Sequence, residues 1–522
     1  MKSYLTTICV VLFLVTAGVT NADDNVATPA HNPVIWADVP DMAMIRVGDI
    51  YYMSSTTMHL APGLPIMKSK NLVDWELVSY AYNILEDNDV LSLRNGKNAY
   101  GAGTWASSMR YHDGTFYVST FSGSTGKTHV YTTQDIENGH WHETTFSPSL
   151  HDHSLFFDDD GKVYMMYGVN HLRLVELMPD VSGIKPGGFD EVVIRDVSLI
   201  GATRRGLGEG TQIFKKDGKY YVCNITWPPG DMRTQVLSRA DQITGPYEGR
   251  VILKDGGIAQ GSLIDTPDGK WYAYLFQDHG AVGRIPYIVP VEWEDGWPVL
   301  GTDGKVPMTL NITKENSGLG NLVASDEFER NDVHDAFPLA WQWNHNPDNR
   351  FWSLTDRPGW LRLIAGRTDQ SLPEARNSLT QRTFGPQCAA TTLIDVSNMK
   401  DGDYTGIATF QSQYGFVGVK MLDGKKSIVM VDTANNLPRE EESVVLDGNL
   451  IYLKIECDFR NKADIARFYW SVDGGNWTLI GKPLQMRYTL PHFMGYRFAL
   501  FYFATQNADG FADFDYYRVH GH

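Results

Sequence analysis

The sequence predicts an all-β protein, a five-bladed β-propeller followed by a β-sandwich. Two observations carry that reading. A hairpin pattern returns five times over residues 32–300, and alternating apolar and polar residues run between polar turns over residues 321–522. Length agrees: 522 residues make two or three domains, and 43% hydrophobic residues supply a large core.

The chain opens on MKSYLTTICVVLFLVTAGVTNADDN, which has the pattern of a secretory signal. Lys2 is its positive end, residues 4–17 are apolar, and Thr20-Asn21-Ala22 suits cleavage before Asp23. The apolar run is short for a membrane anchor, and no other stretch could span a bilayer. Residues 1–22 are therefore expected to be removed and the protein to be secreted or periplasmic. Beyond them lie Cys223, Cys388 and Cys457, too few to organise the fold by disulfides; Cys388 and Cys457 either pair or are buried free thiols. A net charge of -17 argues against nucleic acid and anionic membranes as partners.

The hairpins are RVGDIYYMSST, YHDGTFYVSTF, DDDGKVYMMYG, KKDGKYYVCNI and TPDGKWYAYLF, spaced by 47 to 65 residues. Asp-Gly between β-branched and aromatic runs is a tight-turn signal. Several hairpins are followed by a second shared pattern, as in SKNLVDWELV, TTQDIENGHW and SRADQITGPYEG. Repeats of this length with about four short strands are propeller blades.

Counting back from the second aromatic of each hairpin gives one equivalent position per blade. Twelve residues before Tyr117, Tyr164, Tyr221 and Tyr272 stand Trp105, Asp152, Glu209 and Gln260; eleven before Tyr52 stands Asp41. The first strand of a blade lines the central channel, so these five converge on one mouth. Three are carboxylates, and burying three acids together is costly because each opposes the others' ionisation. A catalytic cluster in a funnel accounts for that cost. Asp152 is further marked by His151 and His153 on either side.

Residues 301–320, GTDGKVPMTLNITKENSGLG, read as a linker. Beyond it SIVMVDT, VVLDGNLIYLKIECD and IARFYWSVDG are strands joined by polar turns, and Trp343 is read as core.

The motifs resemble glycoside hydrolase family 43. NPVIWADVPDMAMIRVGDIYY with Asp41, HDHSLFFDDDG with Asp152, GEGTQIFKKDGKYYV with Glu209 and VGRIPYIVPVEWEDGWPVL with Arg284 stand in that family's order. SDEFERNDVHDAFPLAWQWNHNPDNRFWSLTDRPGWLRL and the closing GFADFDYYRV are similar to its appended concanavalin A-like sandwich. The resemblance implies hydrolysis with inversion, Asp41 as general base and Glu209 as general acid. Asp152 would then raise the pKa of Glu209 and orient it. Arg284 would bind a sugar hydroxyl or orient an acid. Further substrate-facing candidates are Trp105 as a pocket wall, His59 on the loop after the first hairpin, Gln260 and His279.

Two departures from the family matter. Gln260 and Gln212 stand where many members have histidines, which speaks against a calcium ion in the channel, unless His279 substitutes. A structural calcium is instead expected at Asp326 and Asp515, on the first and last strands of the sandwich. The chemistry itself needs no cofactor.

The resemblance thus implies an exo-acting enzyme that releases terminal α-L-arabinofuranose, β-D-xylose or both from plant hemicellulose or its oligosaccharides. High aromatic content, 12% with 14 Trp and 26 Tyr, suits surfaces that stack on sugars. No membrane insertion and a monomer are expected. The alternatives are a secreted sugar-binding protein without catalysis, an endo-arabinanase-like hydrolase, and a fructosyltransferase-like propeller enzyme. Three intact acids at equivalent positions disfavour the first.

Overall fold

The computed structural model describes residues 28–199, 207–316, 319–330, 337–433, 437–490 and 492–521. The expected signal, residues 1–22, lies outside the described residues. Strands dominate, and the only helices among the described residues are three short 3-10 turns.

Five four-stranded antiparallel meanders follow one another. Their first strands are Ala43–Val47, Ser107–His112, Ser154–Phe157, Leu207–Lys216 and Ala259–Asp265, and their last ends at Leu300. Each first strand packs beside the next, and the fifth packs beside the first, so the sheets close into a ring. Two of the four Asp-Gly turns are the two-residue loops the sequence predicts; in blades three and five Phe157 pairs with Val163 and Asp265 with Trp271, leaving five-residue loops in place of the expected tight turns. His112 pairs with Thr115 and Lys216 with Lys219, leaving two-residue loops. Asp113-Gly114 (φ 46° and 77°) and Asp217-Gly218 (49° and 78°) are left-handed at both positions, the geometry that matches strand twist.

The ring is sealed by the segment ahead of blade one. Val34 and Val39 donate backbone hydrogen bonds to Pro286 and Arg284 of blade five, and the Asn32 amide reaches Ile288 and Pro307. Thr28–His31 then pairs with Thr309–Lys314. The expected linker therefore contains a strand that ties the two ends of the propeller together, because its alternating TLNITK can pair with an available edge.

The sandwich has an eight-stranded and a seven-stranded sheet. The outermost strand of the larger sheet is foreign to it: Leu60–Ala61, from the loop of blade one, pairs with Gln342–Asn344. One apolar cluster runs without a break from Met44 and Tyr274 of the propeller to Phe498 and Tyr517 of the sandwich. Trp343 is buried in it. Cys388 and Cys457 face each other across paired strands, and both thiols, like Cys223, are free and buried. No helix among the described residues is long and apolar enough to cross a membrane.

Candidate active site

Asp41, Asp152 and Gln260 each take a left-handed backbone, with φ of 50°, 46° and 69°. At Glu209 the following residue does so instead: Gly210 has φ 77°. Strand register slips at the same places, between Glu209 and Gln212 and between Ala259 and Ser262. Such bulges at the start of inner strands re-aim side chains, and strain of this kind persists where the surroundings over-determine it. Gly210 also has no room for a side chain, since a Cβ would sit 2.9 Å from Gln260 Cγ.

The side chains meet across the channel. Asp41, only 6% exposed, accepts from Arg284 Nη1 at 2.8 Å on one oxygen and from Gln260 Nε2 at 2.8 Å on the other. Gln260 is held in turn, its backbone N–H donating to Gln235 Oε1 at 2.8 Å. Burial pushes the Asp41 carboxyl up and the Arg284 guanidinium pulls it down, leaving a net rise. Arg284 is 2% exposed; loss of water weakens its charge, but the carboxylates around it prevail and hold its proton more firmly.

Asp152, likewise 6% exposed, accepts from the Gly210 N–H at 2.9 Å. Desolvation, reinforced by the charges of Glu209 and Asp41, lifts its pKa to about 7 against the pull of His151. His151 Nε2 lies 3.1 Å from Glu209 Oε2 and 3.7 Å from Asp152 Oδ2. Burial alone would lower the His151 pKa, but the hydrogen bond to Glu209 and the three surrounding carboxylates raise it. One ligand atom each from His151, Asp152 and Glu209 lies within 4.8 Å of the others. The three expected acids are thus brought together, with an unexpected histidine between two of them.

His151 was legible only as the neighbour of Asp152 in the same turn. Its fellow His153 is structural: buried, bonded to the Leu150 carbonyl at 2.9 Å and Ser119 Oγ at 2.8 Å, and pushed down to about 4 by burial. A second unforeseen element is Phe493 of the sandwich. Its ring lies 5.0 Å from the Arg284 guanidinium and 4.9 Å from the ring of Trp105. Its carbonyl accepts from Arg284 Nη2 at 3.4 Å. Asp38 fixes this junction by accepting from the backbones of Arg284 (2.7 Å) and Gly495 (3.1 Å). Trp105 is therefore placed at the channel mouth, as its repeat position requires.

Two other candidates make their contacts away from the three acids. His59 is buried where the propeller meets the sandwich, with Nε2 2.9 Å from Asn344 Oδ1. Its ring stacks on His345 at 4.4 Å and meets His492 and Tyr100 edge-on. Burial drives its pKa to about 3, so it is neutral. The foreign strand Leu60–Ala61 that follows it carries it under the sandwich, which a reading of the loop alone could not show. His279 meets Trp36 edge-on at 5.0 Å and contacts Gln277, rather than any of the three acids. Gln212 donates to the Ser107 carbonyl at 3.1 Å.

Comparison with known proteins decides the family. Residues 30–298 match the model for glycosyl hydrolases family 43, and residues 325–520 match the β-xylosidase C-terminal concanavalin A-like domain. The chain belongs to glycosyl hydrolase family 43. It is accordingly a glycosidase. Among family 43 relatives, a β-xylosidase of Formosa agariphila is 29% identical over 93% of this chain and 89% of its own. A non-reducing end α-L-arabinofuranosidase of Bacteroides ovatus is 30% identical over 67% of this chain and 68% of its own. A solved "Bifunctional GH43-CE" protein of Bacteroides eggerthii is 57% identical with a TM-score of 0.93, covering 95% of this chain; this chain spans 64% of that longer one.

Family 43 enzymes need no cofactor for their chemistry. The calcium expected at Asp326 and Asp515 does not fit the donors present. Asp326 accepts from both terminal nitrogens of Arg330, at 3.0 and 2.8 Å, from the Trp341 indole at 3.1 Å and from the Phe328 N–H. Its charge is already neutralised, and a guanidinium occupies the place a cation would need.

Proposed function

We propose that this glycosidase removes single pentoses, β-D-xylose or α-L-arabinofuranose, from non-reducing ends of xylan-type hemicellulose, with inversion. The observation that carries it is the division of labour among the acids. Asp41 receives two hydrogen bonds, one from a guanidinium, on oxygens otherwise out of water. Those donors favour the ionised form and fix its orientation, as activation of a water requires. Glu209 instead faces a histidine and a carboxyl that holds its proton to about pH 7. An acid that must donate to a leaving oxygen needs such a source of protons beside it.

In the forward step a water between Asp41 and the sugar loses its proton to Asp41 as its oxygen attacks the anomeric carbon. The glycosidic bond breaks, and Glu209 gives its proton to the departing oxygen. Asp152 orients the Gly210 backbone next to Glu209 and keeps the local charge low. Arg284 holds Asp41 in place, and Trp105 and Phe493 form the apolar wall against the terminal sugar. Export is part of the proposal, resting on Lys2 and the apolar residues 4–17. Incubation with aryl β-xyloside, aryl α-arabinofuranoside and short xylo-oligosaccharides tests it. Free pentose from chain ends is expected; long oligosaccharides without free pentose would make it an endo-enzyme.

A further inference from the structure

The strand that pairs with Glu209's strand ends in Trp227. Glu209 pairs with Ile225 and Leu207 with Trp227, so Trp227 lies on the same sheet face as Glu209, two pairs along the ladder. It is the last residue of its strand and 40% exposed. Its indole N–H donates to the Asp231 carbonyl at 3.1 Å, so the polar edge is satisfied and what remains exposed is apolar ring.

The ring is braced from below. The Arg233 guanidinium lies 4.8 Å from the indole and 4.9 Å from the ring of Phe276. Arg233 is 7% exposed, with Asp278 at 2.9 Å to balance its charge. The Arg284 guanidinium lies 5.5 Å from the centre of the same Phe276 ring, and Arg284 holds Asp41. A continuous chain of ring and guanidinium contacts therefore links the base to Trp227. Such a bracket costs side-chain freedom, and it leaves an apolar indole face fixed on the same sheet face as Glu209, an arrangement suited to stacking on a sugar ring.

We propose that Trp227, braced by Arg233, is the platform for the leaving-group sugar, and that this sugar is a pyranose. The inference rests on the hydrolase reading, since it places the platform on the hairpin of the acid that protonates the leaving oxygen. A β-linked pyranose chair offers a flat face of C–H groups to an indole; a puckered furanose offers less. The parent polysaccharide is then a pyranose backbone such as xylan and not an arabinan of furanose units.

The experiment compares kcat/KM for β-1,4-xylobiose with that for xylosyl fluoride, whose leaving group has no ring. In Trp227→Ala the ratio of the two is expected to fall ten- to thirty-fold, with Trp227→Phe recovering most of it and the thermal midpoint unchanged. An unchanged ratio would overturn the platform. If the wild type hydrolysed neither compound nor an aryl α-arabinofuranoside, the hydrolase reading would fall instead. Calorimetric titration with xylotriose would then decide the platform by itself: equal affinity of wild type and Trp227→Ala overturns it, and weaker affinity in the variant upholds it.

Discussion

His151 and Glu209, 58 residues apart in the chain, share a hydrogen bond of 3.1 Å at the channel mouth. The carboxyl of Glu209 is thereby next to a base whose proton affinity its neighbours increase. Removing that partner should impair proton delivery to the leaving oxygen without touching the attacking water. His151→Gln is expected to lower kcat about 10-fold to 100-fold and to displace the alkaline limb of the kcat profile, leaving the acidic limb in place. A profile whose acidic limb moved instead would assign His151 to the base.

Glu209→Ala and Asp41→Ala should separate the two steps. Loss of the acid is expected to cost about 10²–10⁴-fold with xylo-oligosaccharides and little with activated aryl glycosides, which depart without a proton. Loss of the base should cost as much with both classes. Comparable rescue of the two variants would show that the roles are misassigned.

The first product should carry inverted anomeric configuration, visible by proton NMR before mutarotation. Inversion needs base and acid roughly 6.5–9.5 Å apart, room for one water. Retention would make Asp41 a nucleophile.

Asp152 should cost stability. Its proton is held to about pH 7 in the folded chain but is lost near 3.8 in the unfolded one. Between these values the unfolded chain binds fewer protons, so the group's contribution is complete below about pH 4 and lost as pH rises through 7. A shift of that size corresponds to at most ~4 kcal/mol. Asp152→Asn keeps an acceptor for Gly210 without the charge, so its thermal midpoint should exceed the wild type's at pH 8 and match it at pH 4, while activity falls. Equal midpoints at pH 8 would show that Asp152 ionises without penalty.

The buried histidines act in the opposite sense. His59 and His153 stay neutral down to about pH 3 and 4, and His345 and His492 are also pushed well down by burial. Unfolded histidines protonate near 6.5, so the unfolded chain binds more protons below that pH and stability falls as pH drops from 6.5 toward 4. Thermal midpoints across that range should decline, less so in His59→Gln, which keeps a partner for Asn344. Parallel slopes would contradict the burial of His59.

Much of this was legible because propellers repeat. Each hairpin repeats at nearly the same length, and its register fixes which residue of each blade faces the channel, so Asp41, Asp152, Glu209 and Gln260 could be found by counting. Arg284 stood out through its motif. What escaped has one physical cause: contacts between segments with no shared period. Phe493 reaches Arg284 across 209 residues, and His59 meets Asn344 across 285. A loop's sequence says that it is a loop, not what covers it, and so His59 is expected at the substrate although it packs at the seam. Asp326 is likewise a calcium ligand only by the family resemblance, and nothing in its sequence neighbourhood says that Arg330, four residues on, turns back to neutralise it.

The foreign strand Leu60–Ala61 and the bond between Asp38 and Gly495 also order events in time. The propeller is complete at about residue 300, but the edge that receives Leu60–Ala61 begins at Gln342, and Asp38 waits for Gly495. At ~5–20 residues per second, synthesis of the remaining ~200 residues takes about 10–40 s. Throughout that interval the nascent chain presents an unpaired edge and the apolar seam around Met44 and Tyr274 to its surroundings. A ribosome that stalls in the sandwich therefore leaves a sticky, idle propeller and not a partly working one, so holdase binding should peak for chains between these two lengths.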